Sequence, residues 1–216
     1  MLNQKTIKPI KNYKKEEFEK YFQNIPEYFV YKLSSLKDID YIDNEKLIKQ
    51  IKHTQGVDIV DKYINFVEII DDKYYIILLH DSFLCHELIH VICYKRLIDA
   101  FSQGNEMRYM PFVDEYIAEY CSTRITGVSM VFEEYKSILN LNHTFVKSKL
   151  CYWLGAYVGL GCSEKVPPTF NDVAQELKQA IVMDGVNLIS INVKKVKEIL
   201  NKIKILGNVL VTFNKE

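Results

Sequence analysis

The stretch that decides the fold is residues 74–101, which read YYIILLHDSFLCHELIHVICYKRLIDAF. Its first six residues, Tyr74–Leu79, are aromatic, β-branched or leucine, and this composition predicts a buried β-strand. His80-Asp81-Ser82 follows and offers side chains that favour a helix N-terminus. The sequence therefore predicts a helix over about Phe83–Phe101, which ends before the loop at Gln103-Gly104-Asn105.

A second β-rich stretch precedes this strand and completes the predicted sheet. Residues 57–70 are rich in β-branched and aromatic side chains, and Asp71-Asp72-Lys73 is the predicted hairpin turn. Most of the remaining chain has apolar residues at helical spacing. The predicted fold class is therefore α+β, a small antiparallel sheet packed on a helical bundle.

The other predicted helices lie on both sides of the sheet residues. They are Glu16–Phe22, Asn44–Ile51, Pro111–Thr126, Val131–Asn140, Thr144–Leu160, Asn171–Met183 and Val193–Ile203. The 216 residues are enough for one sizeable core. We therefore expect a single domain with a helical N-terminal part (1–55), a part with the sheet and the site helices (56–130) and a helical C-terminal part (131–216).

Composition and charge argue against a nucleic-acid-binding or membrane protein. The 28 basic residues balance the 28 acidic ones, which gives no electrostatic reason to bind nucleic acid or an anionic membrane. No segment approaches the roughly 20 apolar residues that span a bilayer, and lysines interrupt the N-terminus where a secretory signal would be apolar. The five cysteines form no CxxC pair, which favours a reduced, cytoplasmic setting and buried thiols. We expect no nucleic-acid and no membrane partner.

The predicted helix contains an HExxH sequence, His86-Glu87-Leu88-Ile89-His90. Residues four apart lie on one helix face, so the two imidazoles can bind one metal ion. Glu87 projects from the neighbouring face, where its carboxylate can reach a water in the open position of the metal. A shuffled chain of this composition contains the motif in roughly one case per hundred. The spacing therefore predicts bound Zn²⁺, with Glu87 as the base that activates a zinc-bound water.

A catalytic zinc site needs a third protein ligand, and the next predicted helix offers two. Glu115 lies 25 residues after His90, and Glu119 lies one turn further on the same face. One carboxylate can bind the metal while the other accepts an N–H from a liganding imidazole. We favour Glu115 as the ligand and Glu119 as its support, and the reverse assignment stays open. A solvated acidic helix face is the alternative explanation.

The sequence does not single out the group that would stabilise an oxyanion. A tyrosine or histidine serves this purpose in many metallopeptidases. The candidates considered are His143, Tyr116, Tyr152 and Tyr157. His80 precedes the motif by six residues, and we expect it to cap the helix or to face solvent.

An HExxH motif joined to a glutamate on the following helix resembles the gluzincin group of metallopeptidases. Within that group, the sequence EYIAE at Glu115–Glu119 resembles the compact ImmA/IrrE-like and phage-encoded metallopeptidases. The resemblance covers roughly residues 60–126 and implies zinc-dependent cleavage of a protein or peptide substrate. The resemblance implies that His86, His90 and Glu115 are the zinc ligands and that Glu87 is the base.

The resemblance also implies a role for the strand Tyr74–Leu79. In zinc peptidases an edge strand precedes the metal helix and pairs with the extended substrate backbone, so we expect this strand at or near a sheet edge. The sequence departs from the ImmA/IrrE-like pattern at Ile89, where those proteins commonly carry glycine. The alternative function is a non-catalytic module that contains zinc and binds a protein or peptide.

Overall fold

The computed structural model describes residues 6–55, 65–129, 150–161 and 168–202. The strands are β1 (Ile10–Lys11), β2 (Tyr28–Lys32), β3 (Phe66–Ile70), β4 (Lys73–Leu78), β5 (Ile181–Asp184) and β6 (Asn187–Ile191). The α-helices are α1 (Lys15–Phe18), α2 (Glu45–Gln55), α3 (Leu84–Phe101), α4 (Met110–Thr126), α5 (Leu150–Leu160), α6 (Pro168–Ala180) and α7 (193–202). Short 3-10 helices cover Leu36–Tyr41, Asp81–Phe83 and Gly104–Tyr109. The fold class is α+β, as predicted.

The chain divides into two compact units, Met1–Ile92 and Cys93–Glu216. The division lies inside α3, which continues through it as one helix. It does not coincide with the predicted part boundaries after residues 55 and 130, and the single domain stays a prediction. None of the described helices is long and apolar enough to cross a membrane.

The first unit contains a four-stranded sheet in the order β1-β2-β4-β3. The outer pairs are antiparallel, but β2 and β4 are parallel, with Val30 opposite Ile76. The predicted antiparallel sheet is therefore wrong for its central pair. The prediction that Tyr74–Leu79 lies at a sheet edge is also wrong, because β4 has a strand on each side.

The cause of both errors is β2, which lies in the N-terminal part predicted to be helical. Its sequence YFVYK is aromatic and β-branched, a composition that favours strands. Tyr28 and Val30 are fully buried, so β2 packs in the centre of the sheet. The predicted helix Glu16–Phe22 is reduced to α1, whereas α2 extends the predicted helix Asn44–Ile51 to Gln55.

The predicted hairpin turn joins β3 to β4. Ile70 pairs with Lys73, so Asp71 and Asp72 are the two central turn residues. Their φ angles of 52° and 58° are those that a type I′ turn requires. Residues 56–64 lie outside the described ranges, and of the predicted strand 57–70 the part Phe66–Ile70 is confirmed.

The junction between β4 and α3 follows the prediction closely. The Asn65 side chain accepts the backbone N–H of Leu79 at 2.7 Å, which terminates β4. The 3-10 turn Asp81–Phe83 comes next, and α3 begins at Leu84 and ends at Phe101 as predicted. Only a short junction therefore separates β4 from the helix that contains the HExxH motif.

In the second unit, the backbones of α4 and α5 are in close contact at two glycines of α5. Pro111 lies in the first turn of α4, and Gly127 ends it with a φ of 71°. A Cβ built at Gly155 or Gly159 would lie closer than 3.0 Å to backbone oxygens of α4. Only glycine permits this approach. The helix predicted at Pro111–Thr126 is confirmed, as is the described part of the one predicted at Thr144–Leu160.

A β-hairpin in the second unit was not predicted. Helix α6 ends at Ala180, and the next residues form β5, so the predicted helix Asn171–Met183 is wrong at its C-terminal end. β5 pairs antiparallel with β6 across the turn Gly185-Val186. The prediction for Val193–Ile203 is confirmed through residue 202. The helix predicted at Val131–Asn140 lies outside the described residues.

Candidate metal centre

Helix α3 presents two histidines one turn apart. The ring centroids of His86 and His90 are 4.9 Å apart, and the ring planes meet edge-on at 75°. Both side chains are half-buried. Glu87, between them in sequence, is only 5% exposed. The helix thus combines two half-buried imidazoles with one buried glutamate.

A third donor comes from α4. One ligand atom on each of His86, His90 and Glu115 lies within 4.8 Å of the other two. Zinc bonds of about 2.0–2.2 Å place two ligand atoms of a tetrahedral site about 3.4 Å apart. The group could therefore hold one metal ion if these atoms moved closer together. Two nitrogens and one carboxylate oxygen are also the donor set that zinc accepts in hydrolytic sites.

Glu119 is not a member of this group, and the structure places it differently. It is 5% exposed, and its carboxylate accepts a hydrogen bond from the Ser129 hydroxyl at 2.5 Å. Its backbone carbonyl accepts a further hydrogen bond from the Thr123 hydroxyl at 2.8 Å. Glu119 is therefore held by Thr123 of its own helix and by Ser129, just beyond the end of that helix. The sequence analysis did not identify Ser129, since a serine just beyond a helix carries no signal of its own.

Buried carboxylates are rare in proteins, because a charge removed from water must be paired or hydrogen-bonded. Among the described residues they are Glu68, Glu87 and Glu119. Glu68 accepts a hydrogen bond from the Thr54 hydroxyl on α2. The other two lie on α3 and α4, the helices that carry His86, His90 and Glu115.

The thiols on α3, α4 and α5 are buried. Burial raises the pKa of Cys93 to about 12, and the negative charge of Asp114 adds to the effect. Burial likewise raises the pKa of Cys151 to about 12, with a contribution from Glu115. A thiol with so high a pKa is a poor nucleophile near neutral pH. The prediction that the cysteines are buried is confirmed for Cys85, Cys93, Cys121 and Cys151, whereas Cys162 lies outside the described residues.

The tyrosines proposed as oxyanion stabilisers differ in exposure. Tyr116 is 1% exposed, and burial raises its pKa, so its hydroxyl is enclosed in the core. Tyr157 donates a hydrogen bond to the Asn171 side chain at 3.3 Å. Tyr152 is half-buried. His143 lies outside the described residues.

The turn that precedes α3 is held by an exposed ionic cluster. Asp81 accepts hydrogen bonds from Tyr13 at 2.8 Å and Lys32 at 2.9 Å, and Lys14 lies 3.3 Å away. These contacts lower the pKa of Asp81 to about 2, with the Lys32 hydrogen bond as the largest cause. His80 is exposed and makes no side-chain cap, so the expectation that it faces solvent is confirmed.

Compared with protein-family models, with curated proteins and with solved structures, the chain matches none of them. The resemblance to gluzincins therefore rests on the HExxH motif and on the glutamates of the next helix.

Proposed function

We propose that this chain is a zinc-dependent peptide hydrolase of the gluzincin type. The observation that carries the proposal is the grouping of one ligand atom each from His86, His90 and Glu115 within 4.8 Å. Three protein ligands leave a fourth tetrahedral position open, which distinguishes catalytic from structural zinc sites. The half-buried side chains suit a site that admits both an ion and a substrate.

The proposed roles follow from the chemistry of each side chain. His86 and His90 bind through neutral imidazole nitrogens, and Glu115 supplies a carboxylate oxygen. When bound, zinc lowers the pKa of a coordinated water to about 7 and polarises a carbonyl oxygen. Glu87 takes up the proton of the attacking water and returns it to the leaving amine.

The burial of Glu87 supports its assignment as the base. Glu87 is only 5% exposed on the helix that carries both histidines, although a glutamate on a helix surface normally stays hydrated. A carboxylate enclosed in this way has few water molecules to compete with the one it activates. The buried, hydrogen-bonded Glu119 is assigned to the support of a ligand on α3 or α4.

We further propose a zincin-like fold and a protein or peptide substrate. Because β4 lies between β2 and β3, it has no open edge with which to pair with a substrate backbone. A reducing, cytoplasmic compartment is also proposed. Its support is that the sequence contains no CxxC pair and that Cys85, Cys93, Cys121 and Cys151 are buried.

The experiment compares wild type with Glu87→Gln on mixtures of quenched fluorescent peptides. General-base catalysis contributes about 10² to 10⁴ in rate, so the variant should lose that factor while it keeps its zinc and its melting temperature. Asp99→Asn is the matched control, because Asp99 is an exposed acid on the same helix. Full cleavage by Glu87→Gln would remove Glu87 from the mechanism. Zinc retained without any cleavage by wild type would instead favour the non-catalytic binding module.

A further inference from the structure

The β5–β6 hairpin accepts side-chain hydrogen bonds from both α3 and α4. On α3, Arg96 donates to the carbonyl of Leu188. On α4, the Tyr120 hydroxyl donates to the carbonyl of Gly185 at 3.2 Å. The thiol of Cys121 donates to the carbonyl of the next turn residue, Val186, at 3.4 Å.

Backbone carbonyls in a hairpin turn have no strand partner and usually bind water. Here the two turn residues instead bind adjacent residues of α4, and a carbonyl two residues later binds α3. The hairpin itself is anchored, since Ile181 and Leu188 are 1% and 4% exposed. Its two ends are joined by a hydrogen bond from the N–H of Asn192 to the carbonyl of Ala180 at 2.8 Å. The hairpin therefore connects α3 and α4 through side-chain hydrogen bonds from both helices.

The contacts lie close to the proposed ligands along each helix. Arg96 follows His90 by six residues, which is about 9 Å of helix axis. Tyr120 follows Glu115 by five residues, which is about 7.5 Å. A change of angle or spacing between α3 and α4 at the hairpin therefore reaches the ligands within two helical turns, because helices move as rigid elements.

We propose that the β5–β6 hairpin is a positioning element of the metal centre, with Arg96 and Tyr120 as its positioning residues. It fixes the spacing between α3, which carries His86 and His90, and α4, which carries Glu115. This inference rests on the proposed function, since it concerns the same zinc site.

The test measures zinc affinity by competition with a chelator and the visible spectrum of the Co²⁺-loaded protein, which reports ligand geometry. The variants are Arg96→Met, Tyr120→Phe and the double variant. Residues that orient ligands typically contribute about 10- to 100-fold in metal affinity, so we expect the double variant to lose at least tenfold and to shift the Co²⁺ bands. Arg96→Lys keeps a donor and should recover part of the loss.

Two controls separate positioning from general destabilisation. Lys95→Met changes the neighbouring exposed residue of α3 and should leave zinc affinity within about twofold. Tyr28→Phe removes a tyrosine-to-carbonyl hydrogen bond of the first unit, and so lowers stability without altering the hairpin. If the double variant keeps the wild-type affinity and Co²⁺ spectrum, or if Tyr28→Phe lowers affinity as much, the hairpin inference is wrong. If wild type binds no zinc, the proposed function fails and the inference fails with it.

Discussion

Gly155 of α5 lies directly against the backbone carbonyl of Tyr116, in the turn of α4 between Glu115 and Glu119. A Cβ at position 155 would come closer than 3.0 Å to that oxygen, a distance that side chains do not tolerate. Gly159, one turn further along, has the same relationship to the carbonyl of Tyr120. The glycine spacing of α5 thus fixes how close it lies to the helix of the acidic residues.

Gly155→Ala should destabilise the protein. In an ordinary helix interior this change stabilises by about 1 kcal/mol, but here the methyl group overpacks the contact and should cost about 1–3 kcal/mol. Urea denaturation measures the difference. Gly127→Ala is the control, because a Cβ there meets open space and only the positive φ opposes it. A stabilised Gly155→Ala protein would show that the two helices are not in this close contact.

The two glutamates of α4 should respond differently to substitution. Glu115→Gln removes a proposed ligand and should release zinc on dialysis, whereas Glu119→Gln should retain it with an affinity about 10- to 100-fold lower. Elemental analysis after dialysis against a weak chelator separates the two. Zinc retained by Glu115→Gln and lost by Glu119→Gln would reverse the assignment.

The ionic cluster at Asp81 predicts a pH-dependent contribution to stability. The folded-state pKa of about 2 lies below the ordinary value of 3.8, so the charged carboxylate favours the folded state above pH 3.8. This contribution is lost as the pH falls towards 2. Because Asp81 is 37% exposed, we expect Asp81→Asn to cost about 0.2–1 kcal/mol at pH 6. Denaturation at pH 6 and pH 2 tests this, and an equal cost at both values would contradict it.

The sequence predicted the elements whose signals are local. The bounds of α3 follow from a strand, a polar junction and a Gly-Asn loop that are all adjacent in sequence. The turn at Asp71-Asp72 likewise needs only residues that accept a positive φ. That His86 and His90 lie on one face of α3 follows from the helical period alone.

The elements that sequence analysis missed depend on distant partners or on a single dipeptide. β2 becomes a central strand because it pairs with β4, more than 40 residues away, and without that pairing β4 was assigned to an edge. The β5–β6 hairpin carried one signal, the Asp184-Gly185 dipeptide, which favours tight turns. The glycines of α5 are spaced four apart, but their role becomes clear only beside the carbonyls of α4.

The zinc content of the purified wild-type protein tests the central claim most directly. After saturation with zinc and dialysis, elemental analysis should give about one zinc per chain. His86→Ala should hold almost none, whereas His80→Ala, which removes an exposed histidine six residues earlier, should retain the full amount. A wild-type protein that keeps no zinc, or a His86→Ala protein that keeps as much as wild type, would contradict the proposed metal centre.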